Sequence, residues 1–147
     1  METQYSANPV VHAYAQTARQ FAIDSSLLTA FFESMRMDID KQSFTKKQYD
    51  EYIYGSAEVI GLMCARVFVQ DEKESYESLQ TGAKALGRAY QKVNFLRDMK
   101  SDYEERGRVY FPRVDFDAVR EAHARAIEGD IGAAFAVARE AIDDLPR

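Results

Sequence analysis

A single cysteine, three prolines, no excess of basic charge and no long apolar run mark this chain of 147 residues. Each scarcity excludes a class of protein. With Cys64 alone there is no internal disulfide and no zinc site built from several cysteines. Within the apolar run from Ile60 to Phe68, Cys64 reads as a small core residue. The prolines Pro9, Pro112 and Pro146 sit where segments begin or end, so the long stretch between the first two is free to be helical. No stretch approaches the roughly 18 uninterrupted apolar residues of a membrane span, and the start lacks the basic and apolar regions of a secretory signal. The expected location is the cytoplasm. A net charge of −5, with acidic residues spread along the chain, argues against a nucleic-acid partner, which would need a basic stripe. An acidic protein that handles phosphate esters would need metal cations to bring the two together.

What remains is the composition of a soluble globular protein, with 46% hydrophobic and 29% charged residues and the length of one domain. Apolar residues recur at three- and four-residue spacing, β-branched alternation is absent, and the pattern predicts helix almost throughout. Asn8-Pro9 starts a helix from about Val10 to Phe21, and Asp24 caps a second to about Met37. Gln42-Ser43-Phe44 breaks the pattern. Thr45 and Gln48 form a capping box that opens a third helix through about Val69. A fourth runs from about Glu74 to Glu105, with a kink expected near Gly82 or Gly87. After a loop from Arg106 to Pro112, Asp115 or Asp117 opens another helix. Gly129-Asp130 interrupts it, and a last helix ends near Asp144. The expectation is an all-α fold, one helical domain over 1–147 with antiparallel helices and short links.

At about 100° per residue, Gln91, Asn94, Asp98 and Asp102 fall within a stripe about 80° wide, opposite Leu86, Ala89, Val93 and Leu96. Short carboxylates and amides are oxygen donors that suit a hard cation such as Mg²⁺, which takes its remaining ligands from water and phosphates. Aspartates four apart stack two carboxylates about 5–6 Å apart, close enough to share ions on one diphosphate. A solvated face with incidental charges is the alternative, and Lys84 and Arg88 near the same side support it. In the helix from Thr45, the residues Tyr54, Ala57, Gly61, Ala65 and Phe68 share a face that suits either close helix packing or a smooth apolar channel.

Together these segments resemble the squalene/phytoene synthases. Tyr54-Gly55-Ser56-Ala57-Glu58-Val59-Ile60-Gly61-Leu62-Met63 is similar to the family block Y-x-V-A-G-x-V-G-L-M. Gln91 to Asp102, followed by Gly107-Arg108-Val109-Tyr110-Phe111-Pro112, is similar to its second aspartate signature, Q-x-x-N-x-L-R-D-x-x-x-D with G-R-x-Y-x-P after it. A weaker likeness includes Met35-Arg36-Met37-Asp38. The resemblance implies an isoprenoid-synthase bundle that joins two isoprenoid diphosphates head to head with Mg²⁺. It implies that Asp98, Asp102 and Asn94 hold the metal and that Gln91, Arg97 and Arg108 contact the diphosphate. Tyr54 and Tyr110 would line the reaction centre, and Ala57 and Gly61 would wall the prenyl channel. The products imply transient peripheral contact with a membrane.

Two features depart from the family. Glu58 stands at a glycine position, where it either crowds the channel or points elsewhere. Upstream of Phe44 the only aspartates are Asp24, Asp38 and Asp40, so the first aspartate motif is missing. The expectation is therefore a bundle incomplete at both ends, inactive alone and lacking half of the synthase domain. Phytoene formation from geranylgeranyl diphosphate, in carotenoid biosynthesis, is the leading expectation. Squalene-type condensation of farnesyl diphosphate and a non-catalytic assembly subunit are the alternatives. Chain-elongating synthases and terpene cyclases lack the signature from Asn94 to Tyr110. His12 and His123 take no role, and Asp143-Asp144 reads as a solvated helix end.

Overall fold

Asn8 starts the first helix as its sequence suggests: its side chain accepts from the backbone N–H groups of Val10 and Val11, and Pro9 sits at the first helical position. The computed structural model of the chain describes residues 6–40, 43–69, 73–112, 121–143 and 145. Among them the fold is all-helical, with one isolated bridge between Ser43 and Val109 and no strand. No helix among the described residues is long and apolar enough to cross a membrane.

Helix α1 spans Pro9–Gln20 and α2 spans Ser25–Asp40. They are joined through Ala22, whose φ of 49° is the left-handed conformation that favours glycine. Asp24 caps α2 by accepting from Ser26 N–H at 2.8 Å. Thr45 and Gln48 form the expected capping box and open α3, Lys46–Ile53. The third helix does not then run on unbroken. Tyr54–Glu58 forms a π-helical turn before α4, Val59–Phe68. The extra residue rotates everything upstream of it relative to α4, which an ideal helical wheel does not anticipate.

Helix α5 runs through both Gly82 and Gly87 as one element, Lys73–Arg106, and ends at Gly107 with φ +62°. At Gly87 the reason for glycine is approach: a Cβ would lie 2.4 Å from the Ala57 carbonyl oxygen. The break expected at Gly129-Asp130 does not exist, because α6 is continuous over Glu121–Asp143. Its most extensive contacts are with α5, where Ile131 and Ala138 are buried, and that packing outweighs the weak helix propensity of Gly129 and Gly132. Asp115 and Asp117 lie outside the described residues, as do Asp144 and the side chain of His123.

Two clusters form the core. Leu27, Val59, Leu62 and Met63 join α2 to α4. Phe44, Tyr49, Tyr52, Ile53, Phe95 and Phe111 form an aromatic cluster between α3, α5 and the loop after α5. Because α5 is covered by α4 on one side and α6 on another, its expected two-faced pattern holds only in part. Ala89 is buried as foreseen, but Val93 is exposed and Lys92 is buried.

Candidate active site

The small residues of α4 and α5 do not meet over their whole length. Between the π-turn, α4, α5 and α6 lies an apolar cavity of about 400 Å³, a size that suits a small apolar ligand. Ala57, Gly61, Ala65 and Phe68 line it, and Gly61 also packs closely on α5, where a Cβ would lie 2.2 Å from the Ala83 carbonyl oxygen, so the face shows both close packing and an apolar wall. Tyr54 does not line it: the π-turn rotates Tyr54 off the stripe and leaves it partly exposed. Cys64 is also not the core residue expected from its neighbours. It is exposed and lines the cavity. Glu58 points elsewhere: its buried carboxylate takes the Arg88 guanidinium of α5 at 2.7 and 2.8 Å.

Gln91 lines the same cavity, and seven residues further along α5, about 10 Å at 1.5 Å per residue, is Asp98. The two aspartates are not the unpaired, mutually repelling carboxylates that spacing alone suggests. Asp98 accepts two hydrogen bonds from its neighbour Arg97, both at 2.7 Å. Asp102, buried, takes Arg106 Nη1 at 2.6 Å. The Arg97 hydrogen bonds hold the Asp98 carboxyl below the ordinary carboxylate range, so it stays ionised at neutral pH. Among the described residues no group of three or more acidic, histidine or cysteine side chains stands close enough to hold a metal on its own. The donor set of Asp98, Asp102 and the half-buried Asn94 therefore fits Mg²⁺ only with diphosphate oxygens and water completing the shell, and with the two arginines released to the phosphates.

The structure gathers a second group, in which Tyr110 and Arg108 meet two residues, Asp38 and Tyr52, that sequence reasoning left without a role. Asp38, near the end of α2, accepts from Tyr52 Oη at 2.8 Å and from Tyr110 Oη at 2.9 Å. Arg108 donates to Tyr110 Oη at 3.0 Å and to the Asp38 carbonyl at 2.6 Å. The Tyr110 ring stacks on Phe95 at 4.2 Å and on Phe44 at 5.2 Å. Tyr110 and Arg108 thus stand together, engaged with Asp38, while Tyr54 is on the π-turn and not in this cluster. The likeness around Met35-Arg36-Met37-Asp38 was the available signal for Asp38. Tyr52, two residues before Tyr54, carried none.

Burial holds the Tyr49 and Tyr52 phenols well above the ordinary tyrosine range, and at Tyr52 the Asp38 carboxylate adds to it. A pKa raised in the fold contributes stability that is complete below the unfolded value of about 10 and is lost as pH rises above it. The protein should therefore lose stability above about pH 10. Tyr49→Phe should flatten that loss, as read by urea unfolding on either side of the unfolded tyrosine pKa.

The family model for squalene/phytoene synthase matches residues 2–145. The chain belongs to the squalene/phytoene synthase family. Phytoene synthase 3, chloroplastic, of Zea mays is 32% identical over 124 residues, covering 81% of this chain and 28% of the relative. Phytoene synthase of Mycobacterium tuberculosis is 32% identical over 117 residues, 76% of this chain and 36% of the relative. Phytoene synthase 1, chloroplastic, of Solanum lycopersicum is 37% identical over 106 residues, 69% of this chain and 25% of the relative. The chain thus spans about a quarter to a third of the length of these relatives. Membership of this prenyltransferase-type family fits the all-helical fold and the apolar cavity beside a carboxylate-bearing helix face.

Proposed function

We propose that this synthase-family chain supplies one half of a site that condenses two molecules of geranylgeranyl diphosphate head to head into phytoene, releasing diphosphate. The observation that carries this reading is the continuity of one face of α5: Gln91 lines the apolar cavity, and Asn94, Asp98 and Asp102 follow it on successive turns. The cavity offers an apolar wall to a prenyl chain. Mg²⁺, when bound, neutralises the diphosphate and helps it leave. Asp98, Asp102 and Asn94 hold that ion, while Arg97 turns from Asp98 to a phosphate oxygen. Arg108 and Tyr110 fix the loop after α5 against Asp38, which keeps the end of the carboxylate face in place. The names of the relatives favour geranylgeranyl diphosphate over farnesyl diphosphate.

With a single carboxylate pair the chain alone should bind substrate but not turn it over; the rest of the synthase fold would complete the site. An assembly role without catalysis is the second reading, favoured by the arginine already seated on each aspartate. Binding of the unreactive geranylgeranyl thiolodiphosphate separates the two. It should require a divalent ion and weaken more than about tenfold, or about 1.4 kcal/mol, in Asp102→Asn. Metal-independent binding, or equal binding by the variant, refutes the metal-site reading. Phytoene made by the purified chain refutes the half-site.

A further inference from the structure

The cavity wall combines large side chains with residues of little more than backbone. Gly61 and Gly87 bring α5 into contact with α4 and the π-turn, where a Cβ would lie 2.2 Å from the Ala83 oxygen and 2.4 Å from the Ala57 oxygen, while Ile60, Leu79 and Ile142 give the wall its bulk. Two ion pairs stand on α5 outside the cavity lining, at positions 88 and 92, one turn apart. Arg88 reaches the buried Glu58 at the end of the π-turn, at 2.7 Å from Nη2 and 2.8 Å from Nε. Lys92, itself buried, reaches Asp130 on α6. Arg88 and Asp130 both face a separate groove between α5 and α6, away from the cavity. The first pair ties α5 to the π-turn wall and the second ties α5 to the α6 wall.

The backbone geometry shows why such ties matter here. A Cβ on Gly87 would lie 3.1 Å from the Glu58 Cα as well as 2.4 Å from the Ala57 oxygen, so α5 and the π-turn touch beside the Glu58–Arg88 pair. On the other side of the turn, a Cβ on Gly55 would lie 2.3 Å from the Ala30 carbonyl of α2. The π-turn is thus held between α2 and α5, and Ser56 and Ala57 within it face the cavity. The buried Glu58 carboxylate takes two bonds from one guanidinium, and that geometry fixes the approach of α5 to the π-turn.

We infer that Glu58 and Arg88, with Lys92 and Asp130, are positioning residues that set the width of the cavity and so the length of prenyl chain it accepts. Glu58 is where this chain departs from the glycine of the family block, and the departure is the source of the tie. The inference rests on the proposed prenyl-binding reading of the cavity but not on its metal site.

Cys64 supplies the readout, because it lines the cavity and is exposed. Its alkylation by N-ethylmaleimide is followed with farnesol or geranylgeraniol present, two uncharged chains that differ by one isoprene unit. The native chain should be protected by one of them at about a tenfold lower concentration than by the other, the discrimination that even one methylene produces in a well-fitted apolar pocket. Glu58→Gly should bring the two protection curves to within about threefold of each other. The exchange Glu58→Arg with Arg88→Glu should restore most of the difference, and Arg88→Lys should fall between. A purely structural role would lower thermal stability and leave the ratio unchanged. An unchanged ratio in folded Glu58→Gly or in Arg88→Lys overturns the inference while leaving the cavity reading intact. Failure of both alcohols to protect the native chain overturns the two together.

Discussion

Asp38→Ala lowers the unfolding free energy by about 3 kcal/mol, or roughly ten degrees in Tm. The carboxylate accepts from two phenols, Tyr52 at 2.8 Å and Tyr110 at 2.9 Å, and lies 3.5 Å from Arg108 Nη1. Truncation leaves two phenolic donors without their acceptor in an aromatic cluster where Tyr52 is almost wholly buried. Each such orphaned donor costs about 1–3 kcal/mol, whereas the guanidinium keeps Tyr110 and the Asp38 carbonyl and so loses less. Asp38→Asn should lose only about 1 kcal/mol, since its amide oxygen still accepts from one phenol. Urea unfolding of both variants measures the difference. Equal effects would show that the charge, and not the acceptor count, holds the loop after α5.

Gly61→Ala has a comparable effect for an unrelated reason. Its Cβ would stand 2.2 Å from the Ala83 carbonyl oxygen and 2.9 Å from the carbonyl carbon, and both are backbone atoms that no rotamer can move aside. Helices α4 and α5 must separate along their contact, and overpacking of that kind costs about 3 kcal/mol. The same separation disturbs the cavity wall to which Gly61 and Ala83 both belong. Protection of Cys64 by geranylgeraniol should therefore be lost together with the stability. A variant that keeps full stability would show that α4 and α5 have room to slide. One that loses stability but keeps protection would show that the wall does not depend on this contact.

Much of the site was legible because helical periodicity is local. Ala57, Gly61, Ala65 and Phe68 share a face in any regular helix, and the structure puts all four on the cavity. Tyr54 was misplaced on that face because a π-turn inserts one residue, and no residue within Tyr54–Glu58 announces it. Its anchors lie far along the chain, at Ala30 and at Gly87. The pairing of Asp98 with Arg97 was hidden for a subtler reason. Neighbours in a helix point about 100° apart, yet a long guanidinium side chain spans that angle. Cys64 sits in an apolar run that looks like core, and only the gap between α4, α5 and α6 makes it accessible. Glu58 could be recognised as out of place, but Arg88, thirty residues away, could not be assigned to it.

Local chemistry, then, was enough for the all-helical class and the caps of the first three helices, for placing Asp98 and Asp102 on consecutive turns, and for the likeness that names the family. These depend on residues within a turn or two of one another, whose geometry the backbone repeat dictates. The cavity's shape, the engagement of Tyr110 and Arg108 with Asp38, and the ties from α5 to its neighbours were decided only by the fold. Each joins side chains distant in sequence, and packing selects such contacts from many that the same periodic pattern would allow.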